Sequence, residues 1–317
     1  MPPSPGEPLT HSTGRRPVMV AIAGDSAAGK TTLTAGLVAA LGPDRVTGVC
    51  VDDYHRYDRE ERRSLPFTPL HPECNHIGIM EQHLNLLASG HPILKPVYDH
   101  ATGTFGRQER VTPQEFVIVE GLLPLHTRVA RSCFDVTVYL DPPEDIRRAW
   151  KVHRDCSRRG YTRDQVLAEL ERREPDARAF IRPQRSHADI VARFHRPDGV
   201  PASDPMSATL LLRPTIPHPD LTTVLGDDGR AAHLALTRDE DGKPVDALYI
   251  DGRAPRELSR QVERHIWSGL DVHGVLPGTL GQIEPGTRSE PLALTELILL
   301  HHMLRAQVAA TAGVAQA

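Results

Sequence analysis

No run of 18 apolar residues occurs in the sequence, so no membrane-spanning helix is expected. Cysteine is scarce: Cys50, Cys74, Cys133 and Cys156 are the only four in 317 residues, and they are scattered. A chain of this length can bury a core large enough to fold without disulfides, and so few thiols fit a reducing, cytoplasmic setting. Residues 1–16 hold Pro, Ser, Thr and Gly but no apolar stretch of the kind a secretory signal needs, so they read as a flexible tail. Positive charge is not in excess either. The formal net charge is −4 with histidine neutral, which argues against a general nucleic-acid binder. No internal repeat is visible, and the Asn-Lys-x-Asp tetrapeptide of guanine-reading switches is missing. His71, Cys74 and His76 are metal-ligating types in one short stretch, but no second pair follows to complete a zinc set.

What is present begins with Gly24-Asp-Ser-Ala-Ala-Gly-Lys-Thr31, which fits the G-x-x-x-x-G-K-[ST] pattern of a phosphate-binding loop. The apolar Val18–Ala23 before it suits a buried strand. After it, Leu33, Leu37, Val38 and Leu41 recur at helical spacing. Gly24 and Gly29 let the backbone turn tightly and approach a ligand. The N–H groups of Asp25, Ser26, Ala27 and Ala28 and the helix N-terminus then face an anion. Lys30 is expected to reach the β- and γ-phosphates of ATP, Thr31 to set its hydroxyl on Mg²⁺, and Thr32 to extend the cradle into the helix.

Further strands are expected at 46–51, 116–120, 134–140 and 188–194, and helices at 77–87, 143–159 and 162–173. Thr162 and Gln165 are spaced as a capping box. Strands alternating with helices imply an α/β fold, a mostly parallel sheet covered by helices. After residue 196 the pattern changes. A hairpin turning at Asp241-Gly242 and helices near 255–268 and 291–310 read as a smaller C-terminal α+β region. The division expected is a tail at 1–16, a P-loop kinase core with lid helices at 17–196 and the C-terminal region at 197–317.

Phosphoryl transfer needs a phosphate cradle, a metal carboxylate, a base for the acceptor and cations over the transferred group. Glu120 ends an apolar strand, where a metal carboxylate belongs. Asp52 and Asp53 end a neighbouring strand, at the carboxyl edge where open α/β sheets bind ligands. Either can accept a hydroxyl proton, and alternation alone does not tell which points inward. Lys151, Arg154, Asp155 and Arg158 fall on one helix face, with Arg159 beside it. They form either a solvated face or a cationic lid over phosphates.

Several segments together resemble the phosphoribulokinase family, in its plant and cyanobacterial branch. They are the phosphate loop, Val51-Asp-Asp-Tyr-His-Arg-Tyr-Asp-Arg59, Lys95-Pro-Val-Tyr-Asp-His-Ala-Thr-Gly103, Val117-Ile-Val-Glu-Gly-Leu122 and Ala149-Trp-Lys-Val-His-Arg-Asp155 with Arg159-Gly160. The resemblance implies an ATP- and Mg²⁺-dependent kinase that phosphorylates ribulose 5-phosphate at its C1 hydroxyl, acting as a homodimer. It matches Asp52 to the base, Glu120 to the Mg²⁺-linked carboxylate, and Lys151 and Arg154 to lid cations, with Asp155 beside them. It matches His55, Arg59, Tyr98, His100, Arg159 and Arg173 to substrate-side positions. Departures are also visible. Ala28 stands where redox-regulated members carry a cysteine, Cys50 has no partner of that kind, and Asp99 stands where Asn is common. The alternatives are a uridine kinase-like or other small-alcohol kinase of the same fold, and a regulatory P-loop NTPase.

Overall fold

The computed structural model describes residues 16–197, 199–201, 204–222, 225, 231–270, 275–284 and 286–314. Apart from Arg16, the segment read as a tail lies outside the described residues. The core opens with β1 (Val18–Gly24), the phosphate loop and α1 (Lys30–Leu41). There follow β2 (Val46–Cys50), α2 (Ile77–Ala88), β3 (Phe116–Gly121), β4 (Val136–Leu140), α3 (Glu144–Arg158), α4 (Arg163–Asp176) and β5 (Ile190–His195). The rest holds β6 (Ser207–Leu212), β7 (Ala232–Arg238), β8 (Pro244–Ile250), α5 (Arg256–Ser268) and α6 (Glu290–Val314).

These strands make one eight-stranded sheet in the order β7-β8-β6-β5-β4-β1-β3-β2. From β2 to β5 all neighbours are parallel; β6, β8 and β7 continue the sheet antiparallel. The hairpin expected around Asp241-Gly242 is β7–β8, and it extends the central sheet. Residue 196 thus marks a change of strand direction within that sheet.

β1 is buried along its whole length because helices cover both faces. Val18, Val20 and Ile22 pack with Leu33 and Leu37 of α1 and with Leu294, Leu297 and Ile298 of α6. Met19, on the opposite pleat, packs with Val117 and Val119 and with Met80, Leu84 and Leu87 of α2. Among the described residues no helix is long and apolar enough to cross a membrane.

Of the boundaries that differ from the sequence reading, two have clear local reasons. β2 stops at Cys50, and Val51–Tyr54 forms a 3₁₀ turn that lifts Asp52 and Asp53 off the sheet. β4 starts at Val136 because the Asp135 carboxylate accepts from the Met19 N–H (2.9 Å) and from Arg16 (2.7 Å). An arm outside the main sheet has no counterpart in the sequence reading: Ile93–Lys95 pairs with Glu109–Val111, and Tyr98–Asp99 pairs with Thr104–Phe105.

Candidate active site

The crevice forms where β1 lies between β3 and β4, at their carboxyl ends. Gly29 caps α1 at φ +97°, a left-handed conformation that favours glycine. A Cβ on Gly24 would sit 2.7 Å from the Leu140 carbonyl, so the loop enters against β4 with no room for a side chain. Lys30 folds back and donates to the carbonyls of Gly24 and Asp25, both at 2.9 Å. Burial lowers its pKa, while Asp52 and Glu120 work in the other direction. Thr31 donates its hydroxyl to the Glu120 carboxylate at 3.3 and 3.4 Å, and Thr32 lies exposed on the same first turn.

Strand register sets Glu120 beside both Ile22 and Cys50. Burial raises the Glu120 pKa, Lys30 opposes this and Asp52 adds to it. The Cys50 thiol is pushed up by burial and by the nearby Asp52 and Asp53, and all four cysteines are free.

The adjacent acids at 52 and 53 part company. Asp53 is tied off: Lys95 pairs with its Oδ2, and the Tyr98 N–H donates to its Oδ1 at 2.9 Å. Asp52 stays part-exposed, 3.7 Å from His100 Nε2. Burial alone would raise the Asp52 pKa, but His55, Lys30, His100 and Arg173 together hold it below the ordinary carboxylate value. The turn therefore separates a structural carboxylate from an open, ionised one.

His55 is buried, with Nδ1 2.8 Å from Asn75 Oδ1 and its ring edge-on to Tyr98. Burial takes its pKa to about 4, so it is neutral at pH 7. Tyr98 is buried and its hydroxyl accepts from Arg62. Arg59 spends its guanidinium on the arm, donating to the carbonyls of His100 (2.5 Å) and Ala101 (3.3 Å). His100 is exposed on one side, and burial lowers its pKa against the opposing pull of Asp52.

The charged face of α3 is divided between a buried pair and exposed cations. Lys151 and Asp155 are buried and joined at 2.7 Å. Arg154 donates to the other Asp155 oxygen at 2.8 Å, and Arg159 lies 3.5 Å from it. Arg158 is exposed and outside this knot. Lys151 is lowered to about 8 by burial and then by Arg173, against Asp155. Arg173 of α4 donates to Glu169 at 2.5 Å. Ser26 of the phosphate loop, Lys151 and Arg173 line one small cavity, which places the α3–α4 cations beside the loop.

Sequence reasoning missed Arg147. It is buried, gripped by Glu144 through two 2.8 Å bonds, and donates to the Ser26 carbonyl at 3.0 Å. Its Nη1 is also 3.5 Å from Asp25. The sequence reading assigns no role to Lys95, Arg62 or Asn75 either. Lys95 lay inside a segment that carried the family resemblance, which was the available signal. His71, Cys74 and His76 do not converge: His71 Nδ1 accepts from the Glu73 N–H, and among the described residues no three His, Cys, Asp or Glu form a metal group.

Comparison with known proteins identifies the family. Residues 19–198, more than half of the chain, match the phosphoribulokinase / uridine kinase family. Over 176 residues the chain is 40% identical to a phosphoribulokinase of Synechocystis sp., covering 56% of this chain and 53% of that protein. A chloroplastic phosphoribulokinase of Triticum aestivum is 33% identical over 193 residues, covering 56% and 48%. A uridine kinase of Geobacillus kaustophilus is 32% identical over 185 residues, covering 56% and 86%. The chain thus spans about half the length of these two phosphoribulokinases. Among solved structures, a phosphoribulokinase from Rhodobacter spheroides superposes with a TM-score of 0.56 at 17% identity, covering 75% of this chain and 91% of that one, a shared fold. By the match over residues 19–198, the chain belongs to the phosphoribulokinase / uridine kinase family.

Proposed function

We propose that this chain is an ATP-dependent kinase that phosphorylates the C1 hydroxyl of ribulose 5-phosphate, giving ribulose 1,5-bisphosphate and ADP. The observation that supports this most is the ionised, part-exposed Asp52 carboxylate beside Lys30 and Glu120, with Asp53 already committed to Lys95. A carboxylate in that state takes the proton from an attacking hydroxyl. Lys30 exchanges the Gly24 and Asp25 carbonyls for the β- and γ-phosphates of ATP, which the N–H groups from Asp25 to Thr32 cradle.

Thr31 and Glu120 fit a bound Mg²⁺. They are oxygen donors, as a hard cation prefers, and the Glu120 charge is disfavoured by burial and Asp52 until a cation relieves it. When bound, the ion neutralises charge on the phosphates. Lys151 and Arg154 supply positive charge where it grows on the transferred group, oriented by Asp155. On the acceptor side, Arg159 and Arg173 suit a phosphate, and His55, Arg59, Tyr98 and His100 build the wall of the acceptor pocket. A homodimer goes with this reading.

A uridine kinase-like activity is the second reading. The chain spans 86% of the Geobacillus kaustophilus uridine kinase, against about half of the Synechocystis and Triticum aestivum phosphoribulokinases. A nucleoside, however, offers no anion to Arg159 and Arg173. Phosphorus NMR of a mixture of protein, ATP, Mg²⁺ and ribulose 5-phosphate tests the proposal. A second phosphomonoester on the sugar, appearing with ADP, supports it; ADP formation only when uridine is supplied contradicts it.

A further inference from the structure

The arm at 93–111 is made of two-stranded ribbons of two or three residues per strand. Ribbons of this size are not stable alone, so what anchors them decides where their side chains stand. Ile93 and Val111 pack the first ribbon into the core below α2, and Lys95 is its buried polar anchor. It is buried, pairs with Asp53 and donates to the Pro96 carbonyl at 3.2 Å. The same Asp53 accepts from the Tyr98 N–H at 2.9 Å, so one carboxylate ties both ribbons to the turn that carries Asp52. The consequence appears on the open side of that turn. The Tyr98 ring sits edge-on to His55 and His100, at 4.9 and 5.1 Å between centroids, and His100 stands 3.7 Å from Asp52.

We propose that Lys95 is a positioning residue for the phosphoryl acceptor: its buried pairing with Asp53 docks the arm on the 51–54 turn and so fixes His100 and Tyr98 relative to Asp52. This rests on the reading of Asp52 as the acceptor-side base. The Lys95 ammonium is itself occupied by Asp53 and the Pro96 carbonyl. A buried ion pair adds little net stability over an apolar pair but is costly to break on one side, and fixing a geometry is its best-attested use. Arg59 reinforces the docking from the rim by holding the His100 and Ala101 carbonyls.

The test compares the wild type with Lys95→Met, Lys95→Arg and Asp53→Asn by steady-state kinetics and by amide hydrogen exchange. Lys95→Met and Asp53→Asn are expected to raise the KM for ribulose 5-phosphate on the order of 10-fold or more, with the KM for ATP within about two-fold, since the phosphate loop is untouched. Lys95→Arg, which keeps the charge, is expected to retain more of the acceptor affinity than Lys95→Met. Exchange is expected to rise in the arm and the 51–54 turn while β1 and α1 stay protected. Equal changes in both KM values, or an arm whose exchange does not change in either charge-removing variant, would overturn the proposal. If the wild type phosphorylates no sugar phosphate, the functional reading fails, and the exchange comparison still decides whether Lys95 docks the arm. If Lys95→Met does not fold, Asp53→Asn carries the same two readouts.

Discussion

Asp52 and Asp53 are neighbours in sequence and opposites in surroundings, and that difference governs what each can do. Asp53 is held by Lys95 and the Tyr98 N–H; Asp52 faces His100 and the charge of Lys30. Asp52→Asn is therefore expected to lower kcat by roughly 10²–10⁴, the usual range for losing a general base, with binding of a fluorescent ADP analogue retained. Asp53→Asn is expected to act mainly on the acceptor KM; a larger kcat loss there than in Asp52→Asn would reverse the assignment. Lys151 gives a pH prediction. It is held at about 8, so its charge is present below that pH and lost above it. The activity kcat/KM is expected to fall as pH rises through about 8, and Lys151→Arg, which stays charged, to move that fall to higher pH. An unchanged alkaline limb would assign it to another group. The sequence marked the pair of acids and the α3 charge cluster, but not which acid is open. That choice is made by Lys95, which is distant in sequence and visible only once the arm is folded.

At the scale of elements, α6 lies against α1 and delivers an awkward group to the contact. Glu296 is fully buried; its Oε2 accepts from the Gly281 N–H at 2.7 Å, while Oε1 has no partner and sits against Gly36, where a Cβ would meet it at 1.8 Å. Burial raises its pKa from 4.5 to about 7. The folded state thus favours the protonated acid, and the stability this form provides is full below pH 4.5 and lost as pH rises through about 7. Holding the ionised form folded above that pH costs about 3 kcal/mol. Glu296→Gln keeps an acceptor for Gly281 and removes the charge, so its Tm is expected to exceed the wild type's by more at pH 8 than at pH 5. A gain that does not vary with pH would contradict this. The long periodic elements were legible: α1 carries the expected Leu33–Leu41 periodicity, α2 falls within a residue of its expected limits, and the Thr162–Gln165 capping box is formed. The arm was not, because two- and three-residue strands leave no periodicity to read. Nor was the joining of β6 to β5, since pairing between distant strands is set by tertiary packing.

Across the whole molecule, the sheet gathers groups scattered from residue 24 to residue 173 at the carboxyl ends of its parallel strands. In the proposed reading the phosphate loop and β3 form the nucleotide side, the 51–54 turn and the arm the acceptor side, and α3–α4 supply the cations between them. The family match ends at residue 198, close to where antiparallel strands take over the sheet, so the family-matched segment and the parallel half of the fold coincide. The central claim is that this crevice is built for an anionic sugar acceptor. The ratio of kcat/KM for ribulose 5-phosphate to that for uridine, measured by ADP release at fixed ATP and Mg²⁺, tests it most directly. Buried polar and charged groups built around one substrate discriminate strongly against another that leaves them unpaired, and the predicted ratio is on the order of 10³ or more. A ratio at or below about one would contradict the account, because the cations around Asp52 would then have no acceptor phosphate to select.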